Sequence, residues 1–194
     1  MPDRNAQNTP IDSLGHSLAD AARLLAEKKL PPVDSWQPAQ TGDSRMRIAA
    51  DGSWFHEGRP IPRPALVRLF STILRREPDG RHVLVTPAEK LEIEVEDAPF
   101  VAVEATVEGD GRDRRIGFRL NTDDYVLAGP AHAIRVESGA DGAPRPYVHV
   151  RAGLEALIAR PVFYELAELA LADGGARVGL WSDGAFFDFG AGTT

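Results

Sequence analysis

Six Asp-Gly dipeptides, beginning at residues 51, 79, 110, 141, 173 and 183, punctuate the chain and constrain its fold more than any other feature. Asp-Gly favours tight turns because glycine takes positive φ without steric cost and the aspartate side chain bonds nearby backbone. Each of the six falls where one run of apolar periodicity ends and another begins. The elements must therefore be short. No run of 18 apolar residues occurs, so no segment reads as a membrane-spanning helix.

Between these breaks the periodicity changes along the chain. Residues 1–12 are polar, carry Pro2 and Pro10, and read as a flexible tail. Leu14, Leu18, Ala21 and Leu25 recur at spacings of three and four after Ser13, and Pro31-Pro32 forbids continuation, which predicts a helical arm followed by a linker over residues 13–42. Met46 and Ile48 alternate with Arg45 and Arg47 before Asp51-Gly52, the pattern of a hairpin. Leu66, Leu69, Phe70, Ile73 and Leu74 form one helical stripe, with Pro64 in the first turn and Pro78-Asp79-Gly80 as its stop. Strand alternation then runs from Val83 to Leu120, and two further strands flank Asp141-Gly142. A second helix begins near Pro161, and a closing hairpin surrounds Asp183-Gly184.

Two parts of this order match. "PRPALVRLFSTIL" and "ARPVFYELAELAL" both start a helix after Arg-Pro, follow a strand or hairpin, and end in Asp-Gly before another strand. The sequence thus predicts an α+β fold of two similar halves, residues 43–109 and 110–194, each a repeated strand-helix-strand motif with antiparallel sheet. One helix on a few strands cannot bury both faces, so the halves are expected to share a core or an interface.

At 194 residues, folding buries roughly 70% of the unfolded surface, enough for a core without staples. The lack of cysteine excludes disulfides, thiolate catalysis and cysteine-ligated metal centres. No secretory signal is visible, which gives a cytoplasmic expectation. A net charge of −7 disfavours nucleic acid as a partner.

The stretch "DGSWFHEGRPIPRPALVRLFSTILRREPDGRHVLVTPAEKLEIEVEDAPFVA", together with "VRAGLEALIARPVFYEL", closely resembles a bacterial family of uncharacterised proteins, the domain-of-unknown-function family numbered 1285. The resemblance covers most of residues 43–190. It implies a two-part α+β fold with repeated motifs, mainly proteobacterial occurrence and a link to signal transduction. It brings no catalytic residues with it.

The chemistry-bearing residues concentrate in one segment. Arg59, Arg63, Arg68, Arg75, Arg76 and Arg81 fall close together with His56 and His82. Arg68 and Arg75, seven apart, would share a helix face able to hold a phosphate or carboxylate through bidentate guanidinium bonds. The plainer reading pairs these arginines with the acidic edge Glu92, Glu94, Glu96 and Asp97. His56 beside Trp54 has the chemistry of a ligand contact or general base. No histidine has a second metal ligand at a recognisable spacing, no nucleophile elbow is present, and the "GDGRDR" and "NTDDY" segments read as turns.

These residues favour a non-enzymatic binding or signalling module. Trp54, His56, Arg59, Arg63, Arg68 and Arg75 would bind a small anionic ligand, or a partner protein, in a groove between the halves, with no cofactor, no metal and no membrane. The alternative is an enzyme acting on a small acidic substrate with His56 as general base. A third reading is an interaction protein whose helical arm docks on a partner.

Overall fold

The computed structural model describes residues 30–190. Its first sheet contains β1 (Gln40–Ile48), β2 (Trp54–His56), β3 (Arg59–Pro60), β4 (Leu74–Arg76), β5 (His82–Val85) and β6 (Glu89–Val95), in the order β3-β2-β1-β6-β5-β4. The second contains β7 (Phe100–Glu108), β8 (Arg115–Leu120), β9 (Tyr125–Leu127), β10 (Ile134–Ser138), β11 (Pro144–Arg151) and β12 (Leu154–Ile158), in the order β10-β11-β12-β7-β8-β9. Helix α1 (Pro64–Thr72) lies between β3 and β4. Helix α2 (Arg160–Ala172) follows β12 and leads to the hairpin β13 (Gly179–Ser182) and β14 (Ala185–Asp188).

Each sheet consists of two antiparallel meanders joined by one parallel pair, β1 with β6 and β7 with β12. Replacing β1–β6 by β7–β12 reproduces the strand order and every strand direction. The repeated unit is therefore six strands. It is not the strand-helix-strand motif expected from the two Arg-Pro helix starts, because α1 interrupts its unit and α2 comes after its own.

The α+β expectation is thereby overturned: the chain is mainly β, in two sheets, with helices of nine and thirteen residues among the described residues. Three local readings explain the difference. The stripe after Pro64 does not continue to Leu74, because the backbone leaves the helix at Ile73 (φ −103°, ψ 9°), where the β-branched pair Thr72-Ile73 favours helix weakly. Leu74 is then buried as a strand residue, whereas Leu69, expected on the apolar stripe, is 58% exposed. Tyr125–Leu127, in a segment read as turns, and Gln40–Asp43, in a segment read as linker, become strands by pairing with β8 and β6. The helical arm expected over 13–30 lies, apart from Leu30, outside the described residues.

One hydrophobic core spans both sheets, as a shared core requires. It runs from Met46, Ile48 and Trp54 through Phe100, Phe118 and Leu120 to Val162, Phe163 and Leu166 of α2. Helix α2 turns this face to β7 and β13, and Phe163 meets Phe189 at 5.4 Å between ring centroids. The two Asp-Gly hairpins each send one aromatic inward: Trp54 and Phe187 are buried. Their neighbours Phe55 and Phe186 face outward beneath Arg47 and Arg177, at 4.5 and 4.8 Å.

The β1–β2 turn also docks the first sheet on the second. Gly52 takes φ +83°, and its carbonyl accepts a 3.3 Å bond from Asn121 Nδ2, while Asn121 Oδ1 accepts from the Val101 N–H at 3.1 Å. A β-carbon at Gly52 would stand 2.6 Å from Asn121 Nδ2 and 2.9 Å from Val101 Cγ2. Gly52→Ala is therefore expected to lower unfolding free energy by roughly 1–3 kcal/mol, read as a shift of the urea midpoint at unchanged slope.

Candidate functional site

The six residues singled out from sequence do not converge. Trp54 is 2% exposed, its ring stacked on Phe70 at 6.4 Å, so it belongs to the core and not to a groove wall. His56 and Arg59 stand exposed on the edge hairpin β2–β3, and Arg63 caps α1 in solvent. Arg68 pairs with Asp123 at 2.5 Å. Arg75 lies on β4 and not on the helix face of Arg68, and it is buried against the backbone of Val33 and Trp36.

A surface depression of about 610 Å³ on the first sheet is lined by Arg45, Arg47 and Arg81. Each of these cations is already neutralised: Arg45 by Glu57, Arg47 by Glu96, and Arg81 by Asp79 and Glu92. Of the pairing expected between the basic segment and the acidic edge, Arg81–Glu92 forms, whereas Arg68 pairs with Asp123, Arg75 with Glu77, Glu96 with Arg47 and Asp97 with Arg145.

A different arrangement occupies the junction of the two sheets. A cavity of about 220 Å³ is walled by Arg76 of β4 and His82 of β5 on one side, by Arg135, Tyr147 and Glu155 of β10–β12 on the other, with Asp97 in the connection between the sheets. The second-sheet wall is a closed network. Arg135 donates to both carboxylate oxygens of Glu155 at 2.6 Å, also bonds Glu137, and lies over the Tyr147 ring at 4.3 Å. The Tyr147 hydroxyl donates to Asp97 at 2.7 Å and accepts from Arg145 Nε at 3.1 Å, while Arg145 also pairs with Asp97. The bonds from Arg135 hold the Glu155 carboxyl below its ordinary range. Burial pushes the Tyr147 phenol up.

The first-sheet wall is not closed. Arg76 donates to the Gly153 carbonyl at 3.3 Å and makes no ion pair among the described residues. Half-buried His82, paired with Arg76 in the β4–β5 register, has its pKa lowered by burial and secondarily by the Arg76 charge. A guanidinium with no ion pair of its own, beside a proton acceptor, thus faces a wall of two arginines and three carboxylates, and its charge is felt at Glu155. Arg76 and His82 belong to the basic segment evident in sequence, but nothing in that segment distinguishes them from Arg75 or Arg81. Only strand alternation and the order of the sheet decide which arginine meets the junction.

Among the described residues, no group of three or more His, Asp and Glu can hold a metal ion, and no helix is long and apolar enough to cross a membrane.

Comparison with known proteins places this geometry in a family. The profile described as "Domain of unknown function (DUF1285), N-terminal domain" matches residues 31–98, and that of the DUF1285 C-terminal domain matches residues 99–189. The two profiles meet where the first sheet gives way to the second. The crystal structure of a DUF1285 family protein from Silicibacter pomeroyi DSS-3 is similar with 50% sequence identity and a TM-score of 0.77, over 89% of this chain and 94% of that one. A DUF1285 family protein from Shewanella baltica OS155 matches 63% of this chain and 90% of its own, at 23% identity and a TM-score of 0.49. No curated protein matches.

Proposed function

This chain belongs to the DUF1285 family, and from that premise and the junction geometry we propose that it is a ligand-binding module that takes a small carboxylate or phosphate between Arg76 and His82. One observation carries the reading: Arg76 is a cation at the sheet junction that makes no ion pair among the described residues and acts on Glu155 only at longer range. An incoming anion would supply the missing partner and bridge both sheets. Occupancy would then bias how tightly the sheets close, which is the kind of output a signalling module needs. The cavity's carboxylates are engaged by arginines and the Tyr147 hydroxyl is committed to Asp97 and Arg145, which favours binding over catalysis.

The test is isothermal titration of the full chain with inorganic phosphate and with succinate. Arg76→Gln is expected to weaken binding at least about tenfold, the worth of one charge-assisted hydrogen bond. Equal affinity in wild type and Arg76→Gln would overturn the reading.

The pH dependence gives a second test with two opposite signs. Because His82 titrates lower in the folded protein than in the unfolded chain, the unfolded chain takes up the proton first. The ligand-free protein therefore loses stability as pH falls below the ordinary histidine value of about 6.5. A bound anion favours the imidazolium, so binding is expected to tighten over the same range. His82→Asn should flatten both dependences. A pH-independent affinity for phosphate analogues of fixed charge, such as sulfate, would remove His82 from the site.

A further inference from the structure

A second cavity, of about 330 Å³, opens at the β9 end of the second sheet and is unlike the junction in character. Its surface is chiefly apolar, with buried Val126 and Val150 beside Leu127 and Tyr125. The volume is within the range of small-molecule sites, and apolar walls of this kind call for an apolar ligand body. Charges of both signs line it, Arg151 together with Asp183 and Asp124, and the Asp124 charge is felt at Arg151.

Arg151 is positioned by the fold. One Nη2–H bond goes to the Ser71 carbonyl at 2.6 Å, and its guanidinium carbon lies 5.3 Å from the centre of the Phe100 ring. It makes no ion pair among the described residues, and burial lowers its pKa more than the charges of Asp124 and Asp34 raise it. Asp183 is positioned too. With Gly184 it occupies a turn in which both residues have positive φ (+47° and +78°), and its N–H donates to the Arg114 carbonyl at 3.0 Å. Its side chain has no hydrogen bond among the described residues. A β-carbon at Gly129 would stand 3.0 Å from Asp183 Cβ and Oδ2, so a larger residue at 129 would displace the carboxylate by a few tenths of an ångström.

We propose that this cavity binds a small zwitterion with an apolar body, the chemistry of a hydrophobic α-amino acid, its carboxylate on Arg151, its ammonium on Asp183, and its side chain against Val126, Leu127 and Val150. The two aspartates repel a simple apolar acid, and Arg151 repels a simple apolar amine. A molecule bearing both charges answers both signs on the wall.

The experiment is calorimetric titration of the full chain with L-leucine, with 4-methylpentanoate (no ammonium) and with 3-methylbutylamine (no carboxylate). Saturable binding of leucine is expected, with each analogue at least about tenfold weaker. Arg151 also holds the Ser71 carbonyl, so the informative variant is the exposed Asp183→Asn, because asparagine tolerates the left-handed turn position. It should weaken leucine about tenfold and, with one repelling carboxylate gone, tighten 4-methylpentanoate. Arg76→Gln should leave leucine untouched. Absence of saturable leucine binding, 4-methylpentanoate binding as tightly as leucine, no effect of Asp183→Asn, or loss of leucine binding in Arg76→Gln would each overturn the proposal.

Discussion

Trp54→Ala is expected to destabilise the protein by about 3–5 kcal/mol, the usual range for removing a large buried aromatic. The side chain is 2% exposed, stacks on Phe70 of α1, and belongs to the core that also holds Phe100 of the second sheet. Its loss would leave a cavity where β2 and α1 meet. Trp54→Phe should cost much less. The indole Nε1 is buried with no hydrogen-bond partner, so phenylalanine gives up volume but also removes an unsatisfied donor. The contrast separates packing from recognition. A core tryptophan makes the two substitutions differ widely in urea midpoint, with phosphate binding by the Phe variant intact. A ligand-contacting tryptophan would make them alike in stability and both defective in binding.

That contrast also shows what the sequence could and could not disclose. Alternation along "GSWFHEG" requires Trp54 and Phe55 to face opposite ways, and the hairpin obeys it. Alternation alone does not say which face is covered. The Asp-Gly breaks marked the turns because turn chemistry is local. The parallel pairs were illegible for the converse reason: β1 meets β6 and β7 meets β12 across some forty or more intervening residues, and no residue type announces such a partner. The same limit concealed the duplication. It resides in strand order, whereas the visible likeness of the two Arg-Pro helix starts falls at inequivalent places in the two six-stranded units. For the site, the basic segment was legible as composition. Its division into a buried tie (Arg75), a surface pair (Arg81) and a junction cation (Arg76) depends on where β4 and β5 sit in the sheet.

Arg75→Ala is expected to cost about 3–5 kcal/mol, as for other buried ion pairs broken from one side. The guanidinium donates to Glu77 at 2.7 Å and, through Nη1, to the carbonyls of Val33 and Trp36 at 2.8 Å each. Its side chain is 8% exposed, and that of Glu77 only 14%. Truncation strands Glu77 Oε1 and the Trp36 carbonyl, leaves the Val33 carbonyl only its 3.3 Å bond from the Trp36 N–H, and leaves Lys90, 3.0 Å from the other Glu77 oxygen, as the remaining counter-charge. It also frees the segment over 33–36 from β4, so limited proteolysis there should accelerate along with the fall in urea midpoint. The pH dependence supplies the sign. Burial pushes the Glu77 carboxyl up, but the bonds from Lys90 and Arg75 outweigh it and leave the group below its ordinary value. That stabilisation is present above the ordinary carboxylate range and disappears as pH falls through the lowered folded-state value. The gap between wild type and Arg75→Ala should therefore be widest near neutrality and narrow in acid. A ligand-binding Arg75 would give the reverse pattern, with stability barely altered at pH 7 and phosphate binding lost. That result would return the anion site to the residues first marked by sequence and away from Arg76.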